Sequence, residues 1–498
     1  MNVNPITRLD YPDPDVIRVE DTYYMVSTTM HFMPGCEILQ SFDLVHWEHA
    51  TYVYETLDHT DAQQLKSGQN IYGQGMWAAS LRYHEGRFYI CFVANDTRKT
   101  YLYTSEKIDG PWKKQLIEGF YHDGSLLFDE DGRNYIVYGN DEIWITELNE
   151  DLTAPKKDGL HRLLVSDHKN PKLGYEGSHI QKINGYYYIF LIHSLRDRWM
   201  RTEACFYSDS LEGEFTGGDV LCDDRGYCGQ GVAQGGIVDT PDGKWYAMLF
   251  QDSGAVGRLP ILLPVTWKDH FPVFGQNGHV PEEIEVHSTR PGYIYQPLVG
   301  SDDFCNGLLP RWQFNHDPDP QYYHLDALQG TYTITTREVC TELTQAVNTL
   351  TQRMSYPSCA AEVTVDASAL KEGDVAGLCA FQGCYAAVGI TKHHGKYEVL
   401  MLDKKEDGIL DMTEGTVVES HQMDFRLEAD FCNMKDEARC YYRVNKGDWL
   451  PIGTVHKLYF KLDHFTGCRF GLFCYAAEKT GGSACFRDFK YYDVDEIS

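Results

Sequence analysis

The chain has 498 residues, 43% of them apolar and 13% aromatic, which describes a well-packed protein too long for one ordinary core. A formal net charge of −29 without any basic run makes nucleic acid and anionic membranes poor partners. No stretch approaches the roughly 20 apolar residues that cross a bilayer.

The N-terminal Met1-Asn-Val-Asn-Pro-Ile has neither the basic start nor the apolar centre of a signal peptide. The 15 cysteines are scattered, often inside apolar strands (Cys91, Cys379, Cys474), and lack a paired CxxC pattern. Both features predict a cytoplasmic protein with reduced thiols and no zinc site, although Cys222 and Cys228 could bridge a loop.

One phrase then recurs five times. It reads Asp13-Pro-Asp-Val-Ile with Tyr23-Tyr-Met, Ala78-Ala-Ser-Leu-Arg with Phe88-Tyr-Ile, and Asp123-Gly-Ser-Leu-Leu with Tyr135-Ile-Val. Glu176-Gly-Ser-His-Ile with Tyr187-Tyr-Ile and Gln234-Gly-Gly-Ile-Val with Trp245-Tyr-Ala complete the set. Each copy is a short strand, a turn and an aromatic strand. Glu85-Gly86, Asp131-Gly132, Asn184-Gly185 and Asp242-Gly243 supply hairpin turns. A second phrase, Ser41-Phe-Asp-Leu-Val-His-Trp47, is echoed at Ser105–Trp112 and more faintly at Ser208–Phe215. Five such units of about four strands predict an all-β, five-bladed β-propeller.

In a propeller the innermost strands line a central axis, so equivalent positions of different blades converge. The opening position reads Asp13, Ala78, Asp123, Glu176, Gln234. Three carboxylates at one register therefore share one pit. Such a set suits hydrolysis of a glycosidic bond: one carboxyl protonates the leaving oxygen, and another, ionised, activates water or attacks the sugar. A third nearby raises its neighbour's pKa. Trp77 and Phe32 are aromatic candidates for stacking a sugar face. Arg258, between two apolar stretches, is expected to pair with a site carboxylate or hold a substrate hydroxyl.

The repeat stops near Phe274. Residues 275–300 are turn-rich, and short alternating segments such as Ala360-Ala-Glu-Val-Thr-Val and Arg469-Phe-Gly-Leu-Phe follow. They predict a β-sandwich, giving domains at 1–298 and 299–498.

At these residues the chain resembles glycoside hydrolase family 43. The matching motifs are Tyr11-Pro-Asp13-Pro, Asp123-Gly-Ser and Glu176-Gly-Ser-His179. Val26-Ser-Thr-Thr, Phe32-Met-Pro-Gly and Ser41–Trp47 are similar to its β-xylosidase branch. Trp312-Gln-Phe-Asn-His-Asp-Pro, Asn348-Thr-Leu-Thr-Gln-Arg-Met and Gly373-Asp-Val-Ala-Gly-Leu resemble the C-terminal sandwich of two-domain members, a concanavalin-like jelly roll. The resemblance implies an inverting mechanism with Asp13 as base, Glu176 as acid and Asp123 holding and tuning the acid. Inversion implies base and acid about 6.5–9.5 Å apart. It also implies substrate binding by Arg258, Phe32, Trp77 and His179.

The chain departs from the family pattern at three places. Gln234 stands where a His associated with an axial calcium is common, so no cofactor is required and only a structural calcium is left open. The blade-two motif reads Trp77-Ala-Ala79. The segment Phe465–Phe470, whose family counterpart can reach over the pit, carries Arg469.

The expected activity is exo-release of xylose from β-1,4-xylo-oligosaccharides, since a sandwich beside the pit makes a pocket rather than a groove. α-L-Arabinofuranosidase activity, alone or additional, is the alternative, with arabinosylated oligosaccharides as substrates. A homo-oligomer is compatible with the sequence. A non-catalytic sugar-binding propeller is the reading from another class, and three carboxylates argue against it.

Overall fold

A computed structural model describes residues 3–413 and 415–493. Five four-stranded antiparallel sheets follow one another, as the repeat requires. Their innermost strands are Asp15–Val19, Met76–His84, Ser125–Phe128, Glu176–Ile183 and Val232–Asp239. Glu85-Gly86 and Asn184-Gly185 turn with both residues at positive φ, whereas only the Gly is left-handed in Asp131-Gly132 and Asp242-Gly243. The serines of the second phrase end the third strand of blades one, two and four. Ser41, Ser105 and Ser208 each accept a backbone N–H two residues on through Oγ, which starts the turn toward the outer strand.

The C-terminal part is two packed sheets of nine and seven strands with an apolar core between them. Among the described residues the only helical pieces are four 3-10 turns, and no helix is long and apolar enough to cross a membrane. All the cysteines are free, including the exposed Cys222 and Cys228, so that loop carries no bridge.

The two parts share structure. Phe32–Met33 leaves blade one and pairs with Gln313–Asn315, at the edge of the nine-stranded sheet. Ala255, Val256 and Leu259 of blade five belong to the sandwich core. Asp10 Oδ1 accepts the Arg258 N–H and its Oδ2 the Gly467 N–H, while the Cys468 N–H donates to the Ala255 carbonyl. The backbones approach so closely that a Cβ on Gly467 would lie 2.2 Å from the Val256 oxygen. Between the domains the Arg353 guanidinium is buried against Glu37 at 2.9 Å and over the Tyr11 ring.

Behind this junction lies a buried imidazole cluster. His31, from blade one, has ring centroids 5.1 Å from His316 and 5.5 Å from His464, and Tyr72 stacks on His464 at 3.9 Å. Neither ring nitrogen of His31 finds a partner. Burial, then the neighbouring His316, His464 and Arg469, hold His31 well below the usual histidine range. Burial also lowers His316 well below it and His464 to about 4. Below pH ~6.5 the unfolded chain takes up protons that these rings do not, so their contribution to stability is present above that pH and lost as pH falls. The apolar replacement His31→Phe is expected to flatten the fall of unfolding free energy between pH 6.5 and 5 by up to about 1.4 kcal/mol per pH unit. Denaturant unfolding at several pH values reads this, and an unchanged slope would contradict it.

Candidate active site

Each blade opens with a distortion of its innermost strand. Pairing slips between Met76 and Ala79, between Glu176 and His179, and between Ala233 and Gly236. Asp13, Asp123 and Gln234 take φ of 53°, 48° and 60°, and Gly177 takes 64°. Left-handed residues beside bulges re-aim side chains toward the axis, a conformation Asp tolerates better than most residues. The repeat thus places Asp13, Asp123, Glu176 and Gln234 around one cavity of about 690 Å³.

Asp13 is nearly buried and held from two sides. Arg258 Nη1 donates to Oδ1 at 2.9 Å and Thr28 Oγ1 donates to Oδ2 at 2.6 Å. Arg258 is only 2% exposed. Its guanidinium stacks 4.3 Å above the Phe465 ring of the sandwich, so blade five and the sandwich jointly position it.

Asp123 accepts the Gly177 N–H through Oδ2 at 2.9 Å, which ties blade three to blade four beside the acid. Burial pushes Asp123 up to about 6, with Glu176 and Asp13 adding like-charge repulsion against the pull of His122. His122 Nε2 lies 3.5 Å from Asp123 Oδ2 and 3.6 Å from Glu176 Oε2. The Asp123 charge, with help from Glu176, lifts His122 to about 9, so an imidazolium faces the carboxylates at neutral pH. Asn140 Nδ2 donates to Glu176 Oε2 at 2.7 Å. One ligating atom each from His122, Asp123 and Glu176 lie within 4.8 Å of one another, a compact group of coupled charges.

Trp77 lines the cavity, with Phe465 at 5.6 Å and His122 at 5.9 Å between ring centroids. Two expected substrate contacts are not in it. Phe32 is fully buried at the domain junction, where its ring carries the Arg469 guanidinium at 3.5 Å. His179 lies one layer down the axis, its Nδ1 3.1 Å from Asp15 Oδ1. Arg469, in the segment expected to reach over the pit, is buried and donates to Gln313 Oε1. The sandwich residue that reaches the pit is Phe465, joined by Phe460, Lys461, Leu462 and Met434.

The axis below the pit bears on a divalent cation. Asp15 Oδ2 accepts from Leu81 N and Arg82 Nη1, both at 2.7 Å, and Oδ1 meets His179. Arg82 also reaches the carbonyls of Leu81, Leu126 and Ile180 and the Ser125 hydroxyl. Its donors are satisfied by the inner strands of four blades, and it neutralises Asp15 in place. With both Asp15 oxygens engaged and Gln234 above, these residues do not fit an axial calcium ion.

Sequence reasoning missed His122, Asn140, Trp199 and the sandwich residues Met434 and Phe460 to Leu462, whereas the segment opening at Phe465 was singled out. His122 adjoins a residue already singled out. In a regular strand its side chain faces away from that of Asp123, and only the left-handed Asp123 brings both to the pit.

Comparisons with known proteins match both parts of the chain. Residues 3–272 match the model of "Glycosyl hydrolases family 43", and residues 301–492 match the "Beta xylosidase C-terminal Concanavalin A-like domain". A β-xylosidase of Formosa agariphila is 26% identical over 99% of this chain and 89% of its own length. A non-reducing-end α-L-arabinofuranosidase of Bacteroides ovatus is 24% identical over 82% of this chain and 79% of its own. A solved structure described as a bifunctional GH43-CE protein of Bacteroides eggerthii superposes with a TM-score of 0.92 at 42% identity; it covers 98% of this chain, which spans 63% of that protein's length. A five-bladed propeller with carboxylates at three blade openings, continued by a concanavalin-like sandwich that closes over them, is thus matched in sequence along both of its parts, and the chain is a glycoside hydrolase belonging to family 43.

Proposed function

We propose that the chain is an inverting, exo-acting β-xylosidase that removes terminal xylose from β-1,4-xylo-oligosaccharides. The observation that carries this reading is the convergence of Asp13, Asp123 and Glu176 on one cavity that Phe460 and Phe465 of the sandwich wall off. A walled pocket admits a chain end and excludes a continuous polymer. Asp13, ionised and held by Arg258 and Thr28, takes a proton from water as it attacks the anomeric carbon. Glu176 gives its proton to the leaving oxygen. Asp123 positions the acid's strand by accepting the Gly177 N–H. Arg82 supplies a fixed positive charge beside Asp15 on the axis.

α-L-Arabinofuranoside hydrolysis is the second reading, supported by the arabinofuranosidase among the relatives. Initial rates on an aryl β-D-xylopyranoside and an aryl α-L-arabinofuranoside separate the two. The expected result is faster xyloside hydrolysis, with xylose as the first product from xylotriose. Faster arabinoside hydrolysis would favour the second reading, and no release from either would overturn both.

A further inference from the structure

The mouth of the cavity differs in character from its floor. The buried part of the lining carries Asp13, Asp123 and Arg258, with Glu176 and His122 half-buried beside them. The mouth carries Trp199 and Leu173 from blade four, and Met434 and Leu462 from the sandwich. Trp199 is 47% exposed and Leu462 is 69% exposed. Large apolar side chains left in water at one opening, contributed by two domains, mark a binding surface rather than packing.

Their place relative to the acid gives them a direction. Glu176 heads the innermost strand of blade four. Leu173 lies just before it, and its carbonyl accepts the Ser194 N–H. Ser194 pairs with Arg201 across the next hairpin, whose loop carries Trp199. The same end of one blade therefore presents the acid, Leu173 and the indole. A general acid stands beside the leaving oxygen, so what flanks it meets the leaving group and not the sugar held on the floor.

Two basic side chains near this rim are committed. Arg201 Nε donates to Asp252 Oδ2 at 2.6 Å and its guanidinium stacks on Trp199, while Lys461 pairs with Glu406. A bare sugar ring brings several hydroxyls that need partners on desolvation. A flat aromatic ring needs none and matches an indole face.

Resting on Glu176 as the acid, we propose that Trp199 and Leu462 form a leaving-group subsite for an aromatic ring. That ring is either the aglycone itself or an aromatic acyl ester carried by the leaving sugar. Trp199 is thus a specificity residue of the leaving-group side.

Binding of non-hydrolysable thioglycosides tests this without turnover. Calorimetry on the whole protein compares phenyl with methyl 1-thio-β-D-xylopyranoside, and the same pair in the α-L-arabinofuranosyl series. Wild type is expected to prefer phenyl about tenfold. Trp199→Ala is expected to bring that ratio near one, Leu462→Ser to lower it, and Trp199→Phe to restore most of it. A second arm compares KM for xylobiose with KM for xylobiose benzoylated on its reducing unit; a lower KM for the ester alone assigns the acyl source. A phenyl-to-methyl ratio near one together with equal KM values, or ratios untouched by Trp199→Ala, would overturn the proposal. A high ratio confined to the arabinosyl series would uphold the subsite and overturn the xylose reading. Xylose release with a ratio near one and equal KM values would do the reverse.

Discussion

Asp13→Asn is expected to lower kcat by about 10²–10⁴-fold on every substrate, whatever its leaving group. The substitution keeps the side-chain shape and its contact with Thr28, but an amide cannot take the proton of the attacking water. Every substrate needs that water, so the loss is uniform across leaving groups. A second effect accompanies it. Arg258 is almost fully buried and Asp13 is its only ion-pair partner recorded among the described residues, so removing the carboxylate leaves an uncompensated guanidinium. A drop in thermal midpoint is therefore expected, and activity is compared well below it. Azide needs no general base, so it should restore turnover in Asp13→Ala and give a glycosyl azide. Full activity of Asp13→Asn, or losses that track leaving-group quality, would contradict its role as base.

Glu176→Ala is expected to show the opposite selectivity. On xylobiose, whose leaving alkoxide must be protonated, kcat should fall by about 10²–10⁴-fold. On a dinitrophenyl xyloside, whose phenolate leaves unaided, the fall should be less than about tenfold. Parallel kinetics on the two substrates give the contrast directly. Equal losses would reassign the acid, and the nearest candidates are Asp123, with its pKa raised to about 6, and the cationic His122.

The propeller was legible in the sequence because the recurring phrase covers the two inner strands of each blade, where packing tolerates little change. The opening position was legible for the same reason, and it led directly to Asp13, Asp123 and Glu176. Depth along the axis was harder to read. Only two residues separate Glu176 from His179, and the bulge between them sends His179 one layer below the pit onto Asp15. Phe32 misled because the segment Phe32–Met33 leaves its blade to join the sandwich sheet, a pairing 281 residues distant that no local pattern announces. A wall on the sandwich side was expected, but most of its residues were illegible for a related reason. Met434 and Phe460 to Phe465 lie in non-repeating loops, and their approach depends on backbone contacts such as Cys468 with Ala255 and Gly467 with Asp10.

Those contacts change the standing of the C-terminal domain. From sequence it was a β-sandwich expected to lie beside the pit. In the structure it packs on the Gly254–Val256 turn, supplies the aromatic face for Arg258, and walls the cavity. The base is therefore held by a residue whose position depends on both domains.

The division of labour among the three carboxylates is the central claim, and the configuration of the first product tests it most directly. Proton NMR during the first turnovers on an aryl β-D-xylopyranoside should show α-xylose appearing first, with β-xylose growing in only through mutarotation. Appearance of β-xylose first would mean that a carboxylate attacks the sugar itself, and would contradict Asp13 as the base that activates water.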